Sequence, residues 1–157
     1  MNFHIRRMTV EDVPAVAKLD QLAFTLPWTD RSFHFEVTSN PASRCWVAER
    51  GGVIIGVIVA WLLVDEVHIA TIATHPDFRR QGIAQALLSH VLKLAAQEGA
   101  VSSFLEVRES NIAAQAMYRK FGYEESGRRS RYYKDNNEDA ILMTLEPLNV
   151  ERLMSDF

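Results

Sequence analysis

Two stretches of this 157-residue chain carry residue types that could do chemistry. The first is Arg79-Arg80-Gln81-Gly82-Ile83-Ala84, which lies between a strand-like run, Glu66 to Thr74, and a helix-like run, Gln85 to Glu98. The opening N–H groups of a helix have no intrahelical partner and sit at the positive end of its dipole. A turn that leads into them is an anion cradle, for phosphates above all. Gly82 and Ala84 carry almost no side chain, so a pyrophosphate can come close to the backbone, while Arg79 and Arg80 add mobile charge at the rim. A plain turn at Gly82 flanked by solvated arginines would read the same way.

The second stretch begins at Glu106, a carboxylate in the otherwise apolar run Phe104-Leu105-Glu106-Val107. Such a group is costly unless it is paired or faces an opening. Burial is expected to raise its pKa toward neutrality, which suits a general base; the alternative is a structural partner for Arg108 or Arg128. Twelve residues on, Tyr118 can donate a proton to a leaving group or simply pack, its hydroxyl bonded at the surface. Asn111 is first an N-cap and second a ligand contact.

The elements that must position these groups follow from periodicity. Phe3 and Ile5 alternate with polar neighbours in a short first strand. Thr9 can cap a helix running to about Ala23, with Pro14 tolerated in its first turns. The segment Phe24-Thr25-Leu26-Pro27-Trp28 interrupts it, and Thr29-Asp30 can cap a second helix through about Val37. Leu26 and Trp28 either plug the core or form a substrate-contacting loop. Arg44 to Arg50 turns at Gly51-Gly52 into Val53 to Leu63, the clearest hairpin. Ile83, Leu87, Leu88, Val91, Leu92 and Ala95 recur at helical spacing up to Gly99. Val101 to Val107 reads as an interior strand, Ile112 to Phe121 as a helix stopped by Gly122, Tyr123 to Arg131 and Ala140 to Leu145 as strands, and Lys134 to Glu138 as a polar loop. Pro147 ends regular structure, so the expected domain is 1–147 with a tail at 148–157. One α/β or α+β domain with a mixed sheet is the economical architecture.

Composition narrows the function classes. A chain 48% hydrophobic and 24% charged is that of an ordinary globular protein. A formal charge of -3, from 17 basic and 20 acidic residues, gives no general footprint for nucleic acid. The N-terminus lacks the pattern of a secretory signal, and the longest apolar run, Val53 to Val64, is too short for a membrane span. The expectation is a cytoplasmic protein. The single cysteine, Cys45, reads as a small buried hydrophobe, and the five histidines show no ligand spacing, so no metal site is expected.

Taken in order, the strand, the Arg-Arg-Gln-Gly-Ile-Ala turn, the long helix, Leu105-Glu106-Val107-Arg108, Asn111, and Tyr118-Arg119-Lys120-Phe121-Gly122-Tyr123 resemble the GNAT superfamily of acyl-CoA-dependent N-acetyltransferases. Its R/Q-x-x-G-x-G/A coenzyme A motif fits as Arg79-x-x-Gly82-x-Ala84, with alanine where many members carry glycine. Within the superfamily the chain is most similar to the bacterial ribosomal-protein alanine N-acetyltransferases. The stretches that carry this are Ala23 to Thr29, Asp65-Glu66, Ile72-Ala73, His75 to Phe78, Leu105 to Arg108, Arg129 to Tyr133 and Glu138 to Ile141; Thr71 and Thr74 depart from it.

The resemblance implies one GNAT-type domain, a mixed, mostly antiparallel sheet of about six to seven strands with about four helices. It implies acetyl transfer from acetyl-CoA, with no metal, straight to an amine in a ternary complex. Ile72, Ala73 and Thr74 would pair with the pantetheine and polarise the thioester carbonyl. Arg79 and the backbone of Arg80, Gln81, Gly82, Ile83, Ala84 and Gln85 would hold the pyrophosphate, and Asn111 would contact the coenzyme. Glu106 matches the base, and Tyr118 matches the acid and also lies against the coenzyme. Leu26, Trp28, Glu36, Tyr132 and Tyr133 would line the acceptor site.

The acceptor implied is a protein or peptide N-terminus, with a ribosomal protein the first candidate, and no nucleic acid or membrane partner; the enzyme would be a monomer or weak homodimer. Because an α-amino group has a pKa near 8 and lysine about 10.4, deprotonation costs roughly 3 kcal/mol less at the N-terminus. A small-molecule amine or a lysine side chain is the alternative, since Glu36, Asp65 and Glu66 could line a cation pocket. A non-catalytic acetyl-CoA-binding module is a third reading.

Overall fold

The hairpin sequence becomes strands β2 (Ser43–Arg50) and β3 (Val53–Leu63), which follow β1 (His4–Arg7) in a computed structural model that describes residues 2–149. The other strands are β4 (Glu66–Thr74), β5 (Ser102–Arg108), β6 (Glu124–Arg129) and β7 (Ala140–Leu145). The helices are α1 (Val13–Ala23), α2 (Asp30–Thr38), α3 (Ile83–Gln97) and α4 (Ile112–Phe121). The seven strands take the order β1-β2-β3-β4-β5-β7-β6. β4 and β5 run parallel, whereas β1–β2, β2–β3, β5–β7 and β6–β7 are antiparallel. The chain forms two compact units, Met1–Trp61 with Ala70–Val91 and Leu62–Ile69 with Leu92–Phe157.

In the first unit β3 is buried continuously from Ile55 to Ala60, because both of its faces are covered. Val57 and Val59 join Val16, Leu19 and Phe33 of the first two helices in one cluster. On the other face Gly56 lets α3 come close: a Cβ built there would stand 2.7 Å from Ile83 Cγ2 and 3.1 Å from Leu87 Cδ1. A short 3-10 turn, Val10–Asp12, precedes α1, so Thr9 caps that turn rather than the α-helix itself. Asp12 is the reason: its carboxylate accepts from the Thr9 N–H at 2.8 Å and from two nitrogens of Arg6, at 2.8 and 2.9 Å.

In the second unit Ser103, Leu105 and Val107 of β5 are buried, and Phe104 and Glu106 face the other way. The Ser103 hydroxyl lies 2.7 Å from Tyr123 Oη, and Tyr123 packs against Tyr118 of α4 with 5.7 Å between ring centroids. β5 starts and ends one residue later than expected, and β6 is shorter at both ends than Tyr123 to Arg131. Arg131 has left the strand, with φ +51 and its N–H given to Asp139 Oδ1 at 3.0 Å. No helix or strand follows Leu145 among the described residues, and the Leu148 N–H donates to Val101 O at 2.9 Å. Residues 150–157 of the expected tail lie outside the described residues.

Candidate active site

The first unit carries the expected phosphate turn. After β4, a 3-10 turn at Pro76–Phe78 leads into Arg80 with φ +64 and Gly82 with φ +78. The first ladder bond of α3 runs from the Ala86 N–H to Gly82 O at 3.0 Å, so the N–H groups of Ile83, Ala84 and Gln85 precede the ladder. Arg79, Arg80, Gln81 and Gly82 are exposed, and Ile83 turns its side chain into the core. Gln81 Oε1 accepts from Arg50 Nη2 at 2.9 Å, and that guanidinium lies 5.2 Å over the Phe78 ring, which braces the turn against the end of β2. This arrangement fits a pyrophosphate: open backbone donors, a helix dipole and two exposed arginines.

The same unit places the expected acceptor loop. Trp28 is half-buried, 5.3 Å from Phe33 and stacked on Trp61 at 6.4 Å, while Leu26 is 51% exposed. Trp28 therefore packs partly against the core, and Leu26 faces solvent. Asp20 holds the loop: its Oδ2 accepts the Trp28 N–H at 2.8 Å, and burial pushes its carboxyl up to about 6. Glu36 is buried and its Oε1 accepts from Trp61 Nε1 and from Asn40 Nδ2. With Trp28, Arg31, Ser32, Phe35 and Trp61 it lines a pocket of about 430 Å³. Cys45 is buried, and burial raises its thiol pKa, as fits a small buried hydrophobe.

The second unit carries Glu106 on β5 and Tyr118 on α4. Glu106 shares its face with Phe104, whereas Tyr118 lies against Tyr123, which is bonded to Ser103 on the other face. The partner of Glu106 is neither arginine proposed from sequence. Arg108 binds both oxygens of Asp135 at 3.0 Å and Glu138 at 3.1 Å, and Arg128 binds Glu109 at 3.0 Å and Glu125 at 3.3 Å. His68 takes the place instead, with Nε2 at 2.8 Å from Glu106 Oε2. Its hydrogen bond holds the Glu106 carboxyl below the ordinary range, against a smaller upward push from burial. The expected rise toward neutrality is thus overturned, because a donor on the charged form outweighs desolvation here.

Tyr118 is buried and its pKa is raised, chiefly by burial. Its hydroxyl makes no hydrogen bond to protein among the described residues, and it is not one of the buried polar atoms left without a partner. Asn111 caps α4 through Oδ1, which accepts the Ala114 N–H at 3.2 Å. In the loop between β6 and β7, Tyr132 is exposed and Tyr133 is half-buried, the rings 5.1 Å apart. The Arg108 guanidinium stacks 4.0 Å from the Tyr133 ring, and burial pushes the Tyr133 phenol up to about 12. Asp65, Glu66, Glu106 and Glu146 line a pocket of about 350 Å³ with Arg129 and several serines. Glu36 is not among them, so the three acids expected around one cation pocket divide between two.

The β4–β5 ladder stops at Ile69↔Leu105. A profile of the Acetyltransferase (GNAT) family matches residues 13–123, and the chain belongs to that family of acetyl-CoA-dependent N-acetyltransferases. A Bacillus subtilis (strain 168) relative is 37% identical over 139 residues, 88% of this chain and 92% of its own. The ribosomal protein bS18-alanine N-acetyltransferase of Escherichia coli (strain K12) is 34% identical over 145 residues, 90% of this chain and 95% of its own. The crystal structure of the ribosomal-protein-S18-alanine N-acetyltransferase from Escherichia coli matches with a TM-score of 0.86 at 31% identity, over 92% of this chain and 94% of that chain.

Sequence reasoning missed His68 as the partner of Glu106. The signal was there, a histidine on the half-buried face of β4, but only the parallel register with β5 brings it to Glu106.

Proposed function

We propose that this N-acetyltransferase acetylates the N-terminal α-amine of a protein, with a ribosomal protein's N-terminal alanine as the first candidate. The similarity to the Escherichia coli enzyme supports the acceptor. The observation that supports the chemistry is the state of the two groups: a Glu106 carboxyl held below its ordinary range by His68, and a Tyr118 phenol kept protonated by burial. Arg79 and the backbone of Arg80 to Gln85 hold the pyrophosphate of acetyl-CoA. Ile72, Ala73 and Thr74, beyond the last β4–β5 pair, offer backbone groups to the pantetheine arm and to the carbonyl oxygen. Asn111 spends Oδ1 on its cap and keeps Nδ2 to donate to the coenzyme.

Proton balance explains why a carboxylate held below its ordinary pKa still serves. At pH 8 an N-terminal amine is about half neutral, whereas roughly one lysine in 250 is. Glu106 then needs only to take the proton that the attacking nitrogen sheds as the C–N bond forms, when that nitrogen is far more acidic than a free ammonium. As the C–S bond breaks, Tyr118 gives its proton to the sulfur. No metal is needed, and a ribosomal-protein acceptor places the reaction in the cytoplasm. Leu26, Trp28, Tyr132 and Tyr133 flank the first residues of the acceptor, with Glu36 behind Trp61.

The acid-lined pocket beside Glu106 favours one other reading, a small cationic amine as acceptor. Incubation with acetyl-CoA and peptides bearing free or blocked N-termini, alongside a polyamine, separates the two by mass shift. Acetylation of the free N-termini supports the proposal. Transfer only to the polyamine, or only to lysines of blocked peptides, overturns it.

A further inference from the structure

The geometry around Glu106 contains a group that the acid–base pair does not itself require. His68↔Phe104 is a direct pair in the parallel ladder, and Glu106 lies two residues further along β5 on the same face. The imidazole stacks on Phe104 with 4.5 Å between centroids and 7° between planes, and its Nε2 lies 2.8 Å from Glu106 Oε2. Stacking sets the plane of the ring, and the plane sets the line along which Nε2 meets the carboxylate.

We propose that His68 is a positioning residue for acetyl transfer, which fixes the Glu106 carboxylate through Oε2 so that Oε1 faces the attacking amine. The inference rests on the reading of Glu106 as the base. A glutamate has three side-chain torsions, and a general base that wanders from its proton by an ångström loses much of its effect. With the proton on Nε2, the contact with Oε2 restricts those torsions. The balance is simple: the acceptor's N–H bond breaks and its proton goes to Oε1, while His68 keeps its own proton on Nε2 throughout.

The same contact lowers the affinity of Glu106 for a proton. The other ionisable groups that face this site are Glu66 on β4, Arg129 on β6 and Tyr133 in the loop before β7, with Asp65 and Glu146 in the same pocket. On β7, the residue opposite Glu106 is Leu142, which does not titrate. His68 is the group that touches the carboxylate, and its hydrogen bond is the largest influence on it.

Two substitutions separate positioning from packing. His68→Phe keeps an aromatic ring for Phe104 and removes the donor, whereas His68→Gln removes the ring and keeps an N–H donor. kcat/KM for an N-terminal peptide is expected to fall about tenfold or more in His68→Phe and to recover in large part in His68→Gln. The acid limb of the pH–rate profile should move up in His68→Phe. A carboxyl carbon-13 titration of Glu106 gives a reading that does not depend on turnover, and its midpoint should rise in His68→Phe as burial acts unopposed. An unchanged Glu106 titration, or a His68→Phe enzyme with wild-type rate and profile, overturns the proposal. Wild-type protein that transfers acetyl to no peptide or amine instead refutes the reading of Glu106 as base, and the titration still decides whether His68 holds its carboxylate.

Discussion

Tyr118 and Tyr123 are two buried phenols 5.7 Å apart, and their hydroxyls differ in one respect: Tyr123 is bonded to Ser103 at 2.7 Å, and Tyr118 has no hydrogen-bond partner among the described residues. Removing each oxygen should therefore have opposite consequences. Tyr118→Phe discards a hydroxyl that contributes no protein hydrogen bond, so stability should change by less than about 0.5 kcal/mol. General acid catalysis is worth about 100- to 10,000-fold, so turnover should fall by that factor, or about 3–5 kcal/mol of barrier. Tyr123→Phe leaves the buried Ser103 hydroxyl unpaired, which costs about 1–3 kcal/mol, or a few degrees of Tm for each kcal/mol, with turnover largely kept. Thermal melts of both variants, with release of free coenzyme A thiol followed at saturating acetyl-CoA, read both quantities on one preparation. A Tyr118→Phe enzyme within threefold of wild type would refute the general-acid assignment. So would a melt as damaged as that of Tyr123→Phe, since the loss would then be one of packing.

Three further outcomes follow from other contacts. Asp20 is buried with a carboxyl pushed up to about 6, so it stabilises the fold below its unfolded pKa near 3.9 and that contribution is lost as pH rises through 6; between pH 5 and pH 7.5 the change is about 1 kcal/mol. Urea midpoints at the two pH values should show it, and Asp20→Asn should abolish that slope. Gly56→Ala forces a methyl to within 2.7 Å of Ile83, and denaturant unfolding should register a loss of about 1–3 kcal/mol; a neutral result would mean that α3 shifts freely. Arg108→Lys keeps the charge but not the fork to Asp135 or the stack on Tyr133, so KM for the peptide should rise several-fold with KM for acetyl-CoA unmoved, as initial-rate kinetics would show.

Much of the scaffold was legible because its signals are local. β4 and β7 and the α4 helix fall on the residues that periodicity marks, Thr29 and Asn111 cap as their side chains allow, and Gly122 closes α4. The boundaries that moved are those where a non-local bond intervenes, such as the Asp139 carboxylate that takes the Arg131 N–H and ends β6 early.

The Arg79 to Ala84 turn and the order of strand, turn, helix, acid and tyrosine are one-dimensional facts, and they were enough to name the donor chemistry. The state of Glu106 was not of that kind. Sequence offered burial, which raises a carboxyl pKa, and two nearby arginines; folding sent those arginines to the acids around the β6–β7 loop and to Glu109 and Glu125, and brought His68 from 38 residues away to within 2.8 Å. Strand register decides such a meeting, because a one-residue slip would turn His68 to the opposite face. Local pattern thus determined which elements form and which residues could react, and the tertiary pairing alone decided which charge each of them meets.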